Sequence, residues 1–115
     1  MTWTWSAFDD GRSVGEIGSE SGRIVSDEEC ESGARLTLEE GGMTAPWSIT
    51  CGVYGWMVHT RFFGTRAQAE GDIPPMKAAI ETMLAEAARI TGPEDAAGYR
   101  RVARLCETFV ERFPT

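Results

Sequence analysis

Histidine and lysine each occur once in these 115 residues, at His59 and Lys77, and cysteine three times, at Cys30, Cys51 and Cys106. One histidine, no C-x-x-C pair and no H-E-x-x-H run leave no metal-ligand pattern, so neither a metal nor another cofactor is expected. Three widely spaced cysteines do not form a disulfide framework and fit free thiols in a reducing compartment. Basic charge is scarce as well: 11 Lys and Arg against 18 Asp and Glu give a net charge of −7. Binding to a phosphate backbone needs a basic face, which excludes nucleic acid as the expected partner. Long apolar runs are missing too. Residues 41–60 carry no Asp, Glu, Lys or Arg, but Gly, Pro, Ser and Thr interrupt them throughout, so they do not read as a membrane span. The opening MTWTWSAFDD has neither a basic nor an apolar targeting region, and a cytoplasmic location is expected. The ten Arg to one Lys, with abundant Ala and Gly, suit a GC-rich bacterial genome.

What is present suffices for one domain spanning residues 1–115. The chain is 42% apolar, too apolar for disorder and long enough to bury a core without staples. Residues 1–63 read as a strand meander and residues 72–113 as two helices. Trp3, Trp5 and Ala7 alternate with Thr2, Thr4 and Ser6 at the period of a half-buried strand, and Asp10-Gly11 is a hairpin signal. Val14 to Ile17 is expected to return as a short strand, followed by strands through Arg23–Glu28 and Arg35–Glu40. Trp47, Ile49, Cys51 and Val53 give the clearest alternation. Past the Gly52 to Gly55 turn the parity is expected to shift, with Trp56, Val58 and Phe62 inward and His59 and Arg61 outward beside Thr37 and Thr50.

Thr65 is a candidate cap for a short helical turn. Proline fits only the first turn of a helix, so Asp72 before Ile73-Pro74-Pro75 is expected to cap the main one. Met76, Ala79, Ile80, Met83, Leu84, Ala87 and Ile90 share one helical face, Gly92-Pro93 ends it, and Tyr99, Val102, Cys106, Phe109 and Phe113 repeat the spacing. The fold class is therefore α+β: an antiparallel β-meander of about five strands followed by two C-terminal α-helices packed on one face.

Catalytic signals are weak, and no catalytic residue is assigned. With the expected parity, Cys51 and His59 point to opposite faces and cannot act as nucleophile and base. Acid pairs at Asp9-Asp10, Glu28-Glu29 and Glu39-Glu40 lie on neighbouring residues, read as solvated turn charge. Gly15, Gly18 and Gly22 fit no phosphate-loop spacing. The distribution of charge is more informative. All of the net charge lies in residues 1–42, since residues 43–115 balance eight acids with eight bases. The expected function is a small non-enzymatic protein-interaction or regulatory module of the inhibitor, immunity or adaptor kind. Glu28, Glu29 and Glu31 would steer a basic protein partner and Tyr54 would anchor it. The alternatives are a small-molecule-binding protein or minor enzyme with a pocket between sheet and helices, and a homodimer that covers its sheet edges.

Overall fold

A computed structural model describes residues 3–115. Five strands, β1 (Trp5–Ala7), β2 (Arg23–Cys30), β3 (Ala34–Glu40), β4 (Trp47–Val53) and β5 (Met57–Phe63), pair with their sequence neighbours as an antiparallel meander in the order β1-β2-β3-β4-β5. Two helices, α1 (Arg66–Ala88) and α2 (Ala96–Arg112), follow and pack against one face of that sheet. Leu36, Leu38, Ile49, Cys51 and Val53 from the sheet close on Ala69, Met76, Ile80, Met83 and Phe109 from the helices. The α+β meander with two C-terminal helices is thus the architecture, built on the alternation and the three-and-four spacing of the sequence. No helix among the described residues is long and apolar enough to cross a membrane.

Local expectations are corrected at three places in the chain. The Asp10-Gly11 pair does not make a tight hairpin. Phe8–Gly11 form a 3-10 turn in which Asp9, Asp10 and Gly11 all take positive φ, and the chain then crosses the open face of the sheet. Val14 to Ile17 is accordingly not a strand, and retains a single bridge from Ile17 to Arg23. Helix α1 begins at Arg66, not after Asp72: the Thr65 hydroxyl accepts the Gln68 amide at 3.2 Å, Arg66 pairs with Glu70, and Ala69 is buried. These contacts hold the first turn, and the helix runs on past the Glu70 and Gly71 carbonyls, to which Pro74 and Pro75 have no N–H to donate. Asp72, free of a capping role, forms an ion pair with Arg61 at 2.8 Å.

The third correction concerns parity. Val53 pairs with Met57 across a three-residue loop, Tyr54-Gly55-Trp56, whose Gly55 sits at φ +84°. An odd loop length between paired residues keeps odd positions on the same face, so Met57, His59, Arg61 and Phe63 face the helices. Val58 and Phe62 stand on the open face, the reverse of the hydrophobic reading. The polar pair is accommodated because the helices supply partners: a His59 ring nitrogen, Nε2, lies 2.6 Å from the Phe113 carbonyl oxygen, and Arg61 meets Asp72 and, at 3.2 Å, the Pro114 carbonyl.

Helix α1 crosses the sheet obliquely. It meets β5 at Asp72, β2 where Lys77 pairs with Glu28, and β1 where Trp5 Nε1 donates to Glu81 at 3.0 Å. Helix α2 returns alongside β5, with Tyr99 against Trp56 (ring centroids 5.7 Å apart) and Phe109 edge-on to His59 at 6.1 Å.

Candidate functional site

The face of the sheet away from the helices carries a cleft of about 880 Å³. Its floor is Arg35, Thr37, Thr50 and Gly52. One wall is the chain between β1 and β2, with Phe8, Ser13 and Ile17, and the other is the β4–β5 hairpin, with Tyr54 and Val58. The first of these walls is fixed at two points by buried carboxylates from the strands below.

Asp27 on β2 has a side chain with no exposed surface, and four donors surround it. Arg35 contributes Nε at 2.9 Å and a second guanidinium nitrogen at 2.6 Å; the hydroxyls of Ser13 and Thr37 each donate at 2.9 Å. Burial alone would raise the Asp27 pKa, but the bonds from Arg35, Ser13 and Thr37 outweigh it and hold the carboxyl below its ordinary range. The Phe8 ring covers the Arg35 guanidinium at 3.6 Å, closing the cluster from above. The hydrogen bonds to Asp27 raise the Arg35 pKa.

Glu39 on β3 plays the equivalent part for residues 18–22. Its carboxylate, 1% exposed, accepts the Gly22 amide at 3.0 Å and the Glu20 amide at 3.2 Å. Gly18 is required at this loop because a Cβ there would lie 2.4 Å from the Glu39 carboxyl carbon. Neither Asp27 nor Glu39 stands out as a binding or structural carboxylate in the sequence. The available signal is that both occupy positions facing the open side of strands, where the covering loop supplies donors.

The sequence-derived partner residues are divided by the fold. Glu28 points toward the helices and is paired with Lys77, whose ammonium also lies 5.1 Å from the Trp5 ring. Glu29 lies on the open face, where the Tyr54 hydroxyl donates to it at 2.7 Å. Glu31 is exposed in the turn between β2 and β3. Glu29 and Tyr54 are therefore brought together, while Glu28 and Glu31 are not part of one patch with them. Burial, and secondarily the neighbouring Glu29 carboxylate, push the Tyr54 phenol up to about 12.

Cys51 and His59 are directly opposed across β4 and β5 and share the helix-facing side, which overturns the expectation that they point apart. Burial pushes the Cys51 thiol up to about 12, keeping it neutral. The His59 nitrogen is committed to the Phe113 carbonyl, and since a carbonyl only accepts, that nitrogen carries a proton. A neutral buried thiol beside an occupied imidazole is a packing contact rather than a nucleophile and its base. Among the described residues no three His, Cys, Asp or Glu side chains gather closely enough to hold a metal ion.

The space between sheet and helices is filled by the core, apart from a hollow of about 230 Å³ where Leu84 and Ala88 at the end of α1 approach Trp56. The larger cleft lies on the opposite side of the sheet. Compared with family models, with curated proteins and with solved structures, the chain matches none significantly.

Proposed function

We propose that the protein is a small non-enzymatic interaction or regulatory module whose docking surface is the open-face cleft, taking a basic protein segment that inserts an apolar side chain. The observation that carries this reading is the exposure of Ile17 (72%) and Val58 (79%) on facing walls of one cleft, with Tyr54 beside them. Apolar side chains grouped at a concavity offer a buried anchor site, unlike apolar residues scattered singly over a surface. Charge supports the choice of occupant. Asp9 and Glu16 line the same cleft and Asp10 adjoins it, Arg12 offsets one of these three acids, and the Arg35 cation within the cleft is neutralised by Asp27. Acidic groups at the rim would steer a basic segment toward the apolar centre.

The test uses a photoreactive residue at Ser19, on the cleft rim, to capture the partner in host cells, followed by surface plasmon resonance with the purified partner. A basic partner whose association slows with salt, and whose complex dissociates faster with Ile17→Glu or Tyr54→Ala, supports the reading. Binding indifferent to both salt and Ile17→Glu overturns it.

The size of the cleft favours one other reading, a small-molecule site. A volume of about 880 Å³, with the Thr50 hydroxyl on its floor and Ile17 and Val58 on its walls, is within the range of ligand pockets. Native mass spectrometry of the protein purified from its host would show an adduct released by Thr50→Val under this reading, and the bare chain mass under the first.

A further inference from the structure

The two edges of the sheet are built differently. On the β1 side the strand is only three residues long, and the exposed half of β2 is covered by the preceding chain. The Gly15 amide donates to the Ile24 carbonyl and the Ile24 amide to the Glu16 carbonyl, both at 2.9 Å, and the register with β3 shifts between Ile24 and Ser26. Short strands, covering loops and bulges are the devices by which proteins block edge pairing. The β5 side has none of them. It is seven residues long, contains no proline, carries its one formal charge, Arg61, paired with Asp72 on the helix side, pairs with β4 without a register shift, and makes no other backbone–backbone hydrogen bond among the described residues. Every second N–H and C=O along it faces outward.

Apolar groups flank this free edge on both layers. Val58 and the half-buried Phe62 stand on the open face of β5. Below, Tyr99 and Val110 on α2 are each 43% exposed, with exposed Ala103 between them on the same helical face. That face adjoins β5 rather than α1, since the Tyr99 ring touches Trp56 of the β4–β5 loop.

We infer that this side is a homodimer interface, in which β5 pairs antiparallel with β5 of a second copy and the two α2 helices meet beneath the joined sheet. The sequence of β5 is self-complementary in one register. Keeping both helix layers on the same side requires odd positions to oppose odd positions, so the two-fold axis passes through a residue. Centred on Thr60, the pairing sets Val58 opposite Phe62 twice on the open face, sets Arg61, already paired with Asp72, opposite His59 on the helix side, and overlaps the whole strand. Centred on Arg61 it opposes two guanidinium groups; centred on His59 it shortens the overlap and sets Arg61 against Met57. Self-complementarity of the strand register is what selects a second copy over an unrelated strand. A strand and a helix each about 25 Å long, stacked roughly 10 Å apart, present on the order of 500 Å² per copy, close to the threshold for a specific interface. The dimer is therefore concentration-dependent.

Sedimentation velocity over a wide concentration series tests this, with far-ultraviolet circular dichroism to confirm that each variant is folded. The expected result is a monomer–dimer equilibrium whose dissociation constant rises about tenfold or more in Val58→Lys and, independently, in Val110→Glu. Ile17→Glu, which alters the cleft alone, should leave the equilibrium unchanged and so separates this interface from the docking reading. On a Cys106→Ser background, which removes the part-exposed native thiol of α2, Thr60→Cys should be joined to itself by a short bis-maleimide, while the background chain is not. A wild-type chain that stays monomeric at its highest soluble concentration overturns the inference, as does a dimer that survives both Val58→Lys and Val110→Glu.

Discussion

The Arg35 guanidinium grips the Asp27 carboxylate with two nitrogens, at 2.9 and 2.6 Å, across neighbouring strands on the face that the helices leave open. This pair ties the chain between β1 and β2 to the sheet, because Ser13 bonds to the same carboxylate and Phe8 lies on the guanidinium. The part of the cleft wall that contains Phe8 and Ser13 is thus held by one ion pair, and Glu39 holds the part that follows.

Asp27→Ala should cost about 3 kcal/mol, the low end for breaking a buried pair, since Arg35 retains access to water. Denaturant unfolding measures the loss. Because the folded Asp27 pKa is depressed, its contribution is fully present above the unfolded value near 3.8 and is lost as pH falls through the folded pKa. Thermal melts of Asp27→Asn should accordingly fall less steeply than wild type below about pH 4.

Phe109→Ala should cost about 3 to 5 kcal/mol, through lost transfer energy and the cavity left behind. Phe109 is 2% exposed and stacks on Phe113 with ring centroids 4.8 Å apart. A loss well below a kilocalorie in chemical denaturation would mean that the α2 face does not close the core.

His59 ties the end of α2 to the sheet, so its replacements should rank by whether they can donate to the Phe113 carbonyl. His59→Gln keeps a donor and should cost less than about 1 kcal/mol; His59→Ala removes it and should cost about 1 to 2 kcal/mol more. Amide hydrogen exchange at the last turn of α2 would rise in the second variant only.

Charge reversals within the acidic segment should separate by face. Glu28→Lys sets a second ammonium beside Lys77 under α1 and should destabilise by about 1 kcal/mol, whereas Glu31→Lys, in an exposed turn, should stay within about 0.5 kcal/mol of wild type. Equal unfolding midpoints for the two variants would contradict the placement of Glu28.

The sequence by itself determined the order and type of the elements. Trp47, Ile49, Cys51 and Val53 could alternate only as a half-buried strand, and the spacing from Tyr99 to Phe113 could bury one face only as a helix. What it could not determine was which face of β5 turns inward, because apolar periodicity there pointed to Val58 and Phe62. The odd-length Tyr54-Gly55-Trp56 loop and the polar partners waiting on α1 and the end of α2 decided for His59 and Arg61. The start of α1 escaped for a related reason: the cost of Pro74 and Pro75 is local, while the Thr65 cap and the burial of Ala69 that offset it depend on the packed helix. Glu39 likewise read as a solvated acid and Asp27 carried no signal of its own, since a carboxylate is stable inside a protein only where donors converge on it. Those donors, from Ser13, Arg35 and the amides of Glu20 and Gly22, come from segments that only the tertiary fold brings together.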